Sequence, residues 1–253
     1  MARLPRINPD PDGKHRLRRA GGRRRRRSGL RWLLLTFLLL LAFGPPLAVR
    51  SFNPPFTSFM LARHFENLAS GRGAVPLAQR WVPLQAISAE LALAVIAGED
   101  QRFPAHHGFD FTELAKALEE AEEGAPRGAS TLSQQTTKNL FLWSGRSWVR
   151  KGLEAWYTFW LEVFCGKRRI LELYLNIAEF APDVYGAEAA ARKHWRKSAR
   201  GLGRDQAALL AAVLPSPRTR QVLRPAPEVR ARQRWVLRQM TQLGGTDYLR
   251  GLR

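Results

Sequence analysis

Residues 96–110 of this 253-residue chain, IAGEDQRFPAHHGFD, carry a concentrated set of reactive side chains. An apolar run ends in the carboxylate pair Glu99–Asp100, and Phe103, His106, His107 and the turn pair Gly108–Phe109 come before Asp110. An acid placed where an apolar helix meets a loop is partly desolvated, which raises its pKa toward neutrality and suits it to proton transfer. The two histidines invite a metal reading. Successive side chains point apart, however, and no third ligand is evident, so the expectation is a structural hydrogen bond in this loop.

Two further stretches have the right residue types for binding. In RGASTLSQQTTKN, residues 127–139, a helix beginning near Ser130 would place Thr131, Gln134, Gln135 and Lys138 on one broad face. Thr131 with Gln134 three residues on reads as a capping box. A face with a hydroxyl, two amides and an ammonium suits sugar hydroxyls and a phosphate. A plain solvated face is the alternative, although adjacent glutamines add nothing obvious to one. In GRSWVRKGLEAW, residues 145–156, Arg146, Arg150 and Lys151 accompany Glu154. Arg150 and Glu154 are spaced as a surface pair worth a few tenths of a kcal/mol. The alternative is a cradle of fixed cations that stabilises charge on a departing pyrophosphate.

These residues need helices to hold them. Periodicity predicts helices over 87–97, 111–122, 131–141, 149–164, 168–178, 187–194, 205–213 and 228–243, with a loop at 124–128 and a Pro-Ser-Pro break at 215–217. No alternating strand pattern of useful length is present, and no internal repeat. Cys165 is the only cysteine, so an internal disulfide and a multi-thiolate metal site are both excluded; it is expected to fill apolar space.

The formal charge of +20 is uneven. Residues 1–31 hold twelve arginines and lysines against Asp10 and Asp12, half of the whole excess. Alone, such a tail suggests nucleic acid or anionic lipid. The next segment favours lipid: Leu30 to Val49 carries one charge, Arg31, and as a helix spans about 30 Å, the thickness of a bilayer core. Arginines directly before it predict a cytoplasmic N-terminus with the remainder outside. A cleaved signal peptide is the rival reading, but the apolar run is long for one and lacks a clear cleavage site. The expected organisation is a disordered basic tail (1–29), a transmembrane helix (30–49), a membrane-proximal connector (50–80) and a domain over 81–253. In the connector, Phe52, Phe56, Phe59, Met60 and Leu61 are placed to rest on a bilayer or to form a packed first helix of the domain.

Taken together, EDQRFPAHHGFD, GASTLSQQTTKN, RKGLE and YLNIAEFAPDVYGAEAAARKHW resemble, in order and spacing, the family 51 glycosyltransferases, the peptidoglycan glycosyltransferases, over about residues 80–220. Ala181–Pro182 departs from a glycine frequent in relatives, and Trp195–Arg196 from a frequent Phe–Gly; both lie outside the catalytic boxes. The resemblance implies a mainly α-helical, lysozyme-like domain with a head and a membrane-proximal jaw, preceded by one transmembrane helix. It implies polymerisation of lipid II into β-1,4 glycan strands, with inversion and release of undecaprenyl pyrophosphate. Glu99 matches the general base and Glu154 the second essential glutamate. Lys138, Arg146 and Arg150 match cations around the phosphates. Ser130, Thr131, Gln134 and Gln135 match cleft positions, Lys116 falls near a phosphate-binding arginine of some relatives, and Asp100 and Phe103 match supports of the Glu99 loop. No Ser-x-x-Lys or Lys-Thr-Gly signature is present, so a monofunctional form without transpeptidase activity is expected.

The implied partners are lipid II, the growing lipid-linked glycan, the membrane, and cell-wall synthases or division proteins, with no nucleic acid. The implied location is the bacterial inner membrane, single-pass, with the catalytic domain extracytoplasmic. No tightly bound cofactor and no resident metal are expected, and a divalent cation (Mg or Mn) at the phosphates is compatible with Glu154. A lytic hydrolase would need no phosphate cations, and a scaffold would not need both glutamates. A nucleic-acid binder would have to face the cytoplasm.

Overall fold

The computed structural model describes residues 21–122, 130–145 and 147–252. Contacts divide the chain into two units, Met1–Gly44 and Pro45–Arg253. Helix α1 (Gly21–Ala48) begins nine residues before the expected start at 30, so the span 21–29 is helical rather than disordered. Arginine is a good helix former, and nothing between Gly22 and Leu30 breaks the helix started by the apolar run. Its part Gly29–Ala48 is 20 residues long and apolar enough to cross a membrane.

In the second unit, α3 (Ala89–Glu99) is buried on all sides from Leu91 to Ala97, as its uniform apolarity requires. It packs against α9 (Arg204–Val213) and α10 (Pro227–Gln242), and the alanines of α9 allow close approach. A second group is formed by α5 (Leu132–Phe141) packing on α6 (Trp148–Phe164) and α7 (Lys167–Ile177). Leu171, Tyr174 and Leu175 of α7 are buried, as their spacing implies. Helices α4 (Phe111–Glu122) and α8 (Ala187–Trp195) complete the predicted set. Cys165 is buried as expected, and burial pushes its thiol up to about 11. The expected loop at 124–128 lies outside the described residues.

The connector contains a further helix, α2 (Ser58–Ala69), whose N-cap Thr57 accepts a hydrogen bond from the Met60 amide. Helix α2 packs on α5, where the Ser58 hydroxyl donates to the Asn139 carbonyl at 3.1 Å. Arg169 of α7 donates to the carbonyls of Val49 (2.9 Å) and Phe52 (2.8 Å), holding the chain that leads into α2. The expected apolar members divide: Met60 is buried, whereas Phe52, Phe56 and Leu61 are exposed.

A small sheet corrects the strand-free expectation. It comprises β1 (Ala78–Gln79), β2 (Glu179–Ala181) and β3 (Val184–Tyr185), in the order β1-β3-β2. Strand β3 pairs parallel to β1, with Ala78 opposite Val184, and antiparallel to β2. Strands of two or three residues are too short for alternation to register in a sequence.

Candidate active site

Glu99 is the last residue of α3, and its side chain is 12% exposed. Gln135 Nε2 donates to Glu99 Oε2 at 3.0 Å, and the Tyr174 hydroxyl fixes that amide by donating to Gln135 Oε1 at 3.1 Å. The other carboxylate oxygen, Oε1, is buried without a hydrogen-bond partner among the described residues. Its nearest cation is Arg232 Nη2 at 3.8 Å. Burial raises the Glu99 pKa, against the opposing pull of the Gln135 hydrogen bond and of Arg232 and Arg220. The desolvated acid expected at the helix–loop junction is therefore present. Its Oε1 is left with an unused acceptor position, with the Arg232 guanidinium as the nearest charged group.

Asp100 and Phe103 hold the loop that follows. Asp100 contacts His106 Nε2 at 3.0 Å through both oxygens and accepts from the Leu132 amide at 2.8 Å. This is the expected structural hydrogen bond of His106, and it also caps the start of α5. Phe103 is fully buried beneath the Lys167 ammonium, 4.5 Å from its ring centroid. Lys167 in turn bonds Glu162 at 2.7 Å, which accepts from Ser133 of α5. Gly108 has φ +87°, and a Cβ there would lie 3.0 Å from Thr158 and 3.1 Å from Glu162, so the loop's close seat on α6 needs glycine.

The capping box of α5 forms as predicted: Thr131 accepts from the Gln134 amide, and the Gln134 side chain accepts from the Thr131 amide at 3.0 Å. This geometry removes Thr131 from the binding face. It is buried, and its hydroxyl donates to the Gly108 carbonyl at 2.6 Å. Ser130, Gln134, Gln135 and Lys138 do come together, with Arg150, Lys151 and Glu154, around a cavity of about 80 Å³. Glu154 is only 3% exposed and accepts from Arg150 Nη1 and Lys151 Nζ, each at 2.5 Å. The Arg150–Glu154 pair is thus a buried contact rather than a surface one. Burial lowers the Lys138 pKa, an effect countered by Glu154 and reinforced by Arg150 and Lys151. Three cations against one carboxylate leave the cavity positive.

Lys116 stands apart from this cavity: on α4 it pairs with Glu113 at 2.9 Å and is largely exposed. Arg146 lies outside the described residues. Sequence reasoning missed Arg232, more than a hundred residues from Glu99. It donates to the Gly98 carbonyl at 2.7 Å and stacks on Trp235 at 4.4 Å. An arginine in an amphipathic helix carries no local mark of a distant carboxylate. The role of Tyr174 was hidden likewise, because its spacing reads only as core. Among the described residues no group of three or more His, Cys, Asp or Glu side chains could hold a metal ion.

The chain matches the sequence model of the family described as Transglycosylase over residues 68–241. It is 50% identical over 243 residues to the "Biosynthetic peptidoglycan transglycosylase" of Xanthomonas euvesicatoria pv. vesicatoria, covering 95% of this chain and 96% of that protein. Proteins of the same name from Xanthomonas oryzae pv. oryzae (51% identical, 89% of this chain and 93% of that protein) and Xylella fastidiosa (50%, 85% and 90%) are similar to it as well. With this likeness running over nearly the whole chain, and with the acid and the cation cavity in place, the chain belongs to the transglycosylase family, among the biosynthetic peptidoglycan transglycosylases.

Proposed function

We propose that this protein is a peptidoglycan glycosyltransferase of cell-wall synthesis, which joins lipid II to a growing lipid-linked glycan with inversion at the anomeric carbon and release of undecaprenyl pyrophosphate. The observation that carries the mechanism is the position of Gln135, which hydrogen-bonds Glu99 and also lines the cation cavity. One side chain therefore links a desolvated acid to a phosphate-sized positive site, the two functions a glycosyl transfer from a pyrophosphate requires.

In this reading Glu99 accepts the proton of the acceptor's sugar hydroxyl. The hydroxyl oxygen attacks the anomeric carbon as the bond to the pyrophosphate breaks. Lys138, Arg150 and Lys151 stabilise the charge that builds on the departing phosphate, with Arg146 assigned to the same task by its place in the motif. Glu154 orients Arg150 and Lys151. Both of its oxygens accept from these cations, so a divalent ion there would have to displace one of them, and no step is routed through a metal.

We also assign α1 as a single-pass anchor with a cytoplasmic basic tail and an extracytoplasmic catalytic domain. The lipid-linked substrates call for such a tether. Exposed apolar residues on α4 (Phe111, Leu114, Leu118) and α6 (Trp148, Val149, Phe159) supply a surface that a bilayer interface would cover.

The test is polymerisation of labelled lipid II by the full chain in detergent, followed on a gel beside Glu99→Gln. The unmodified protein should make polymer, and the variant should be slower by about 10²–10⁴-fold, the usual worth of a general base. Equal rates would remove Glu99 from the mechanism, and no polymer from the unmodified chain would remove the activity.

A further inference from the structure

A groove of the second unit lies away from the active site, between β1, the β2–β3 turn and the outer face of α8. Its volume of about 700 Å³ is comparable to that of sites enclosing a sizeable ligand, which run roughly 300–1,000 Å³. It shares no residue with the cavity around Lys138. Three cations line it: Arg80 just after β1, and Arg192 and Lys193 in the last turn of α8. Arg80 and Lys193 are exposed and have no acidic partner among the described residues. Arg192 is held in place by Glu188 at 2.6 Å while remaining half exposed.

The one acid in the lining is already neutralised. Asp183, in the left-handed region at φ 61°, accepts from Arg63 at 2.7 Å and from Asn67 at 3.1 Å, both on α2. The groove is left cationic, with a floor of Val75, Pro76 and Val184. A bare polyphosphate or polysaccharide would use the cations and waste the apolar floor. A ligand that alternates carboxylates with apolar groups would use both.

We propose that this groove docks an extended acidic segment of a partner protein, its carboxylates on Arg80, Arg192 and Lys193 and its apolar side chains on the floor. The inference goes beyond the proposed reaction, and it is read without lipid II, so failure of the polymerisation assay would leave it standing.

The probe is a fluorescein-labelled hexapeptide alternating glutamate and leucine, titrated by anisotropy with the full chain in detergent micelles. The same peptide with glutamine for glutamate serves as control. The acidic peptide should bind more tightly than the glutamine one and weaken as salt rises. Arg80→Glu with Lys193→Glu should weaken it by about tenfold or more. Arg238→Glu, exposed on α10 outside the groove, should leave binding unchanged, and both variants should keep the helical circular-dichroism signal and melting temperature of the parent. Equal binding of the two peptides, or an effect of Arg238→Glu matching that of the groove variant, would overturn the assignment. So would displacement by disaccharide-peptide fragments of digested peptidoglycan at lower concentrations than the unlabelled hexapeptide, since the groove would then belong to the glycan's own peptides.

Discussion

At the scale of single residues, the proton affinity of Glu99 is set by opposing neighbours. Burial raises it, while Gln135, Arg232 and Arg220 draw it down. As the proposed base Glu99 works deprotonated, so the acid limb of kcat should lie above the ordinary glutamate value. Gln135→Leu removes a hydrogen bond to the charged form, so its limb should move to higher pH in a pH–rate profile; a limb that stays put would show that Gln135 does not tune the acid. Stability follows the same sign. In the folded chain Glu99 keeps its proton at pH values where the unfolded chain has lost it, so its contribution is fully present below the ordinary glutamate value and is lost as pH rises through its raised one. Glu99 itself was legible in the sequence, because an acid ending an apolar run has only a few environments open to it. Thr131 shows an equally local effect: the pattern that predicts its cap also commits its hydroxyl and amide to internal partners.

At the scale of elements, the helix pattern was nearly complete in the sequence, with boundaries within a residue or two for most of α3 to α10. Periodicity of 3.6 is a strong signal over ten or more residues. The sheet was invisible, and its place is fixed by a tight turn instead. Gly186 leads from β3 into α8 at φ +84°, and a Cβ there would sit 2.6 Å from the Asn176 carbonyl oxygen. Gly186→Ala should cost on the order of 3 kcal/mol, lowering Tm by about 6–12 °C in a calorimetric scan. The other end of α8 offers the reverse change. Arg196 adopts the left-handed conformation at φ 55° as the C-cap, a conformation that favours glycine. Arg196→Gly relieves that strain at some cost in unfolded-state entropy, and should stabilise by about 0.5–1 kcal/mol in a denaturant titration; a loss of stability would mean that the Arg196 side chain makes a contact worth more than its backbone strain.

At the scale of the whole molecule, the sequence conveyed the division of labour better than the contacts. The long apolar helix could be read because apolar length is a global property, and the cation cavity because its members fall in two short stretches. Arg232 and Tyr174 could not, since what matters is the tertiary distance between α10, α7 and the end of α3. The doubly occupied carboxylate of Glu154 has a kinetic consequence. In the proposed reaction an arriving phosphate would compete with a resident anion for Arg150 and Lys151, so the site would hold its guest more loosely than three unshared cations. For a catalyst that repeats the same displacement along a polymer, weak retention of the discharged leaving group speeds the next cycle. Glu154→Gln should therefore retain inorganic pyrophosphate several-fold more tightly in a calorimetric titration while turning over more slowly; weaker retention would mean that Glu154 serves the anion by arranging its cations rather than by competing for them.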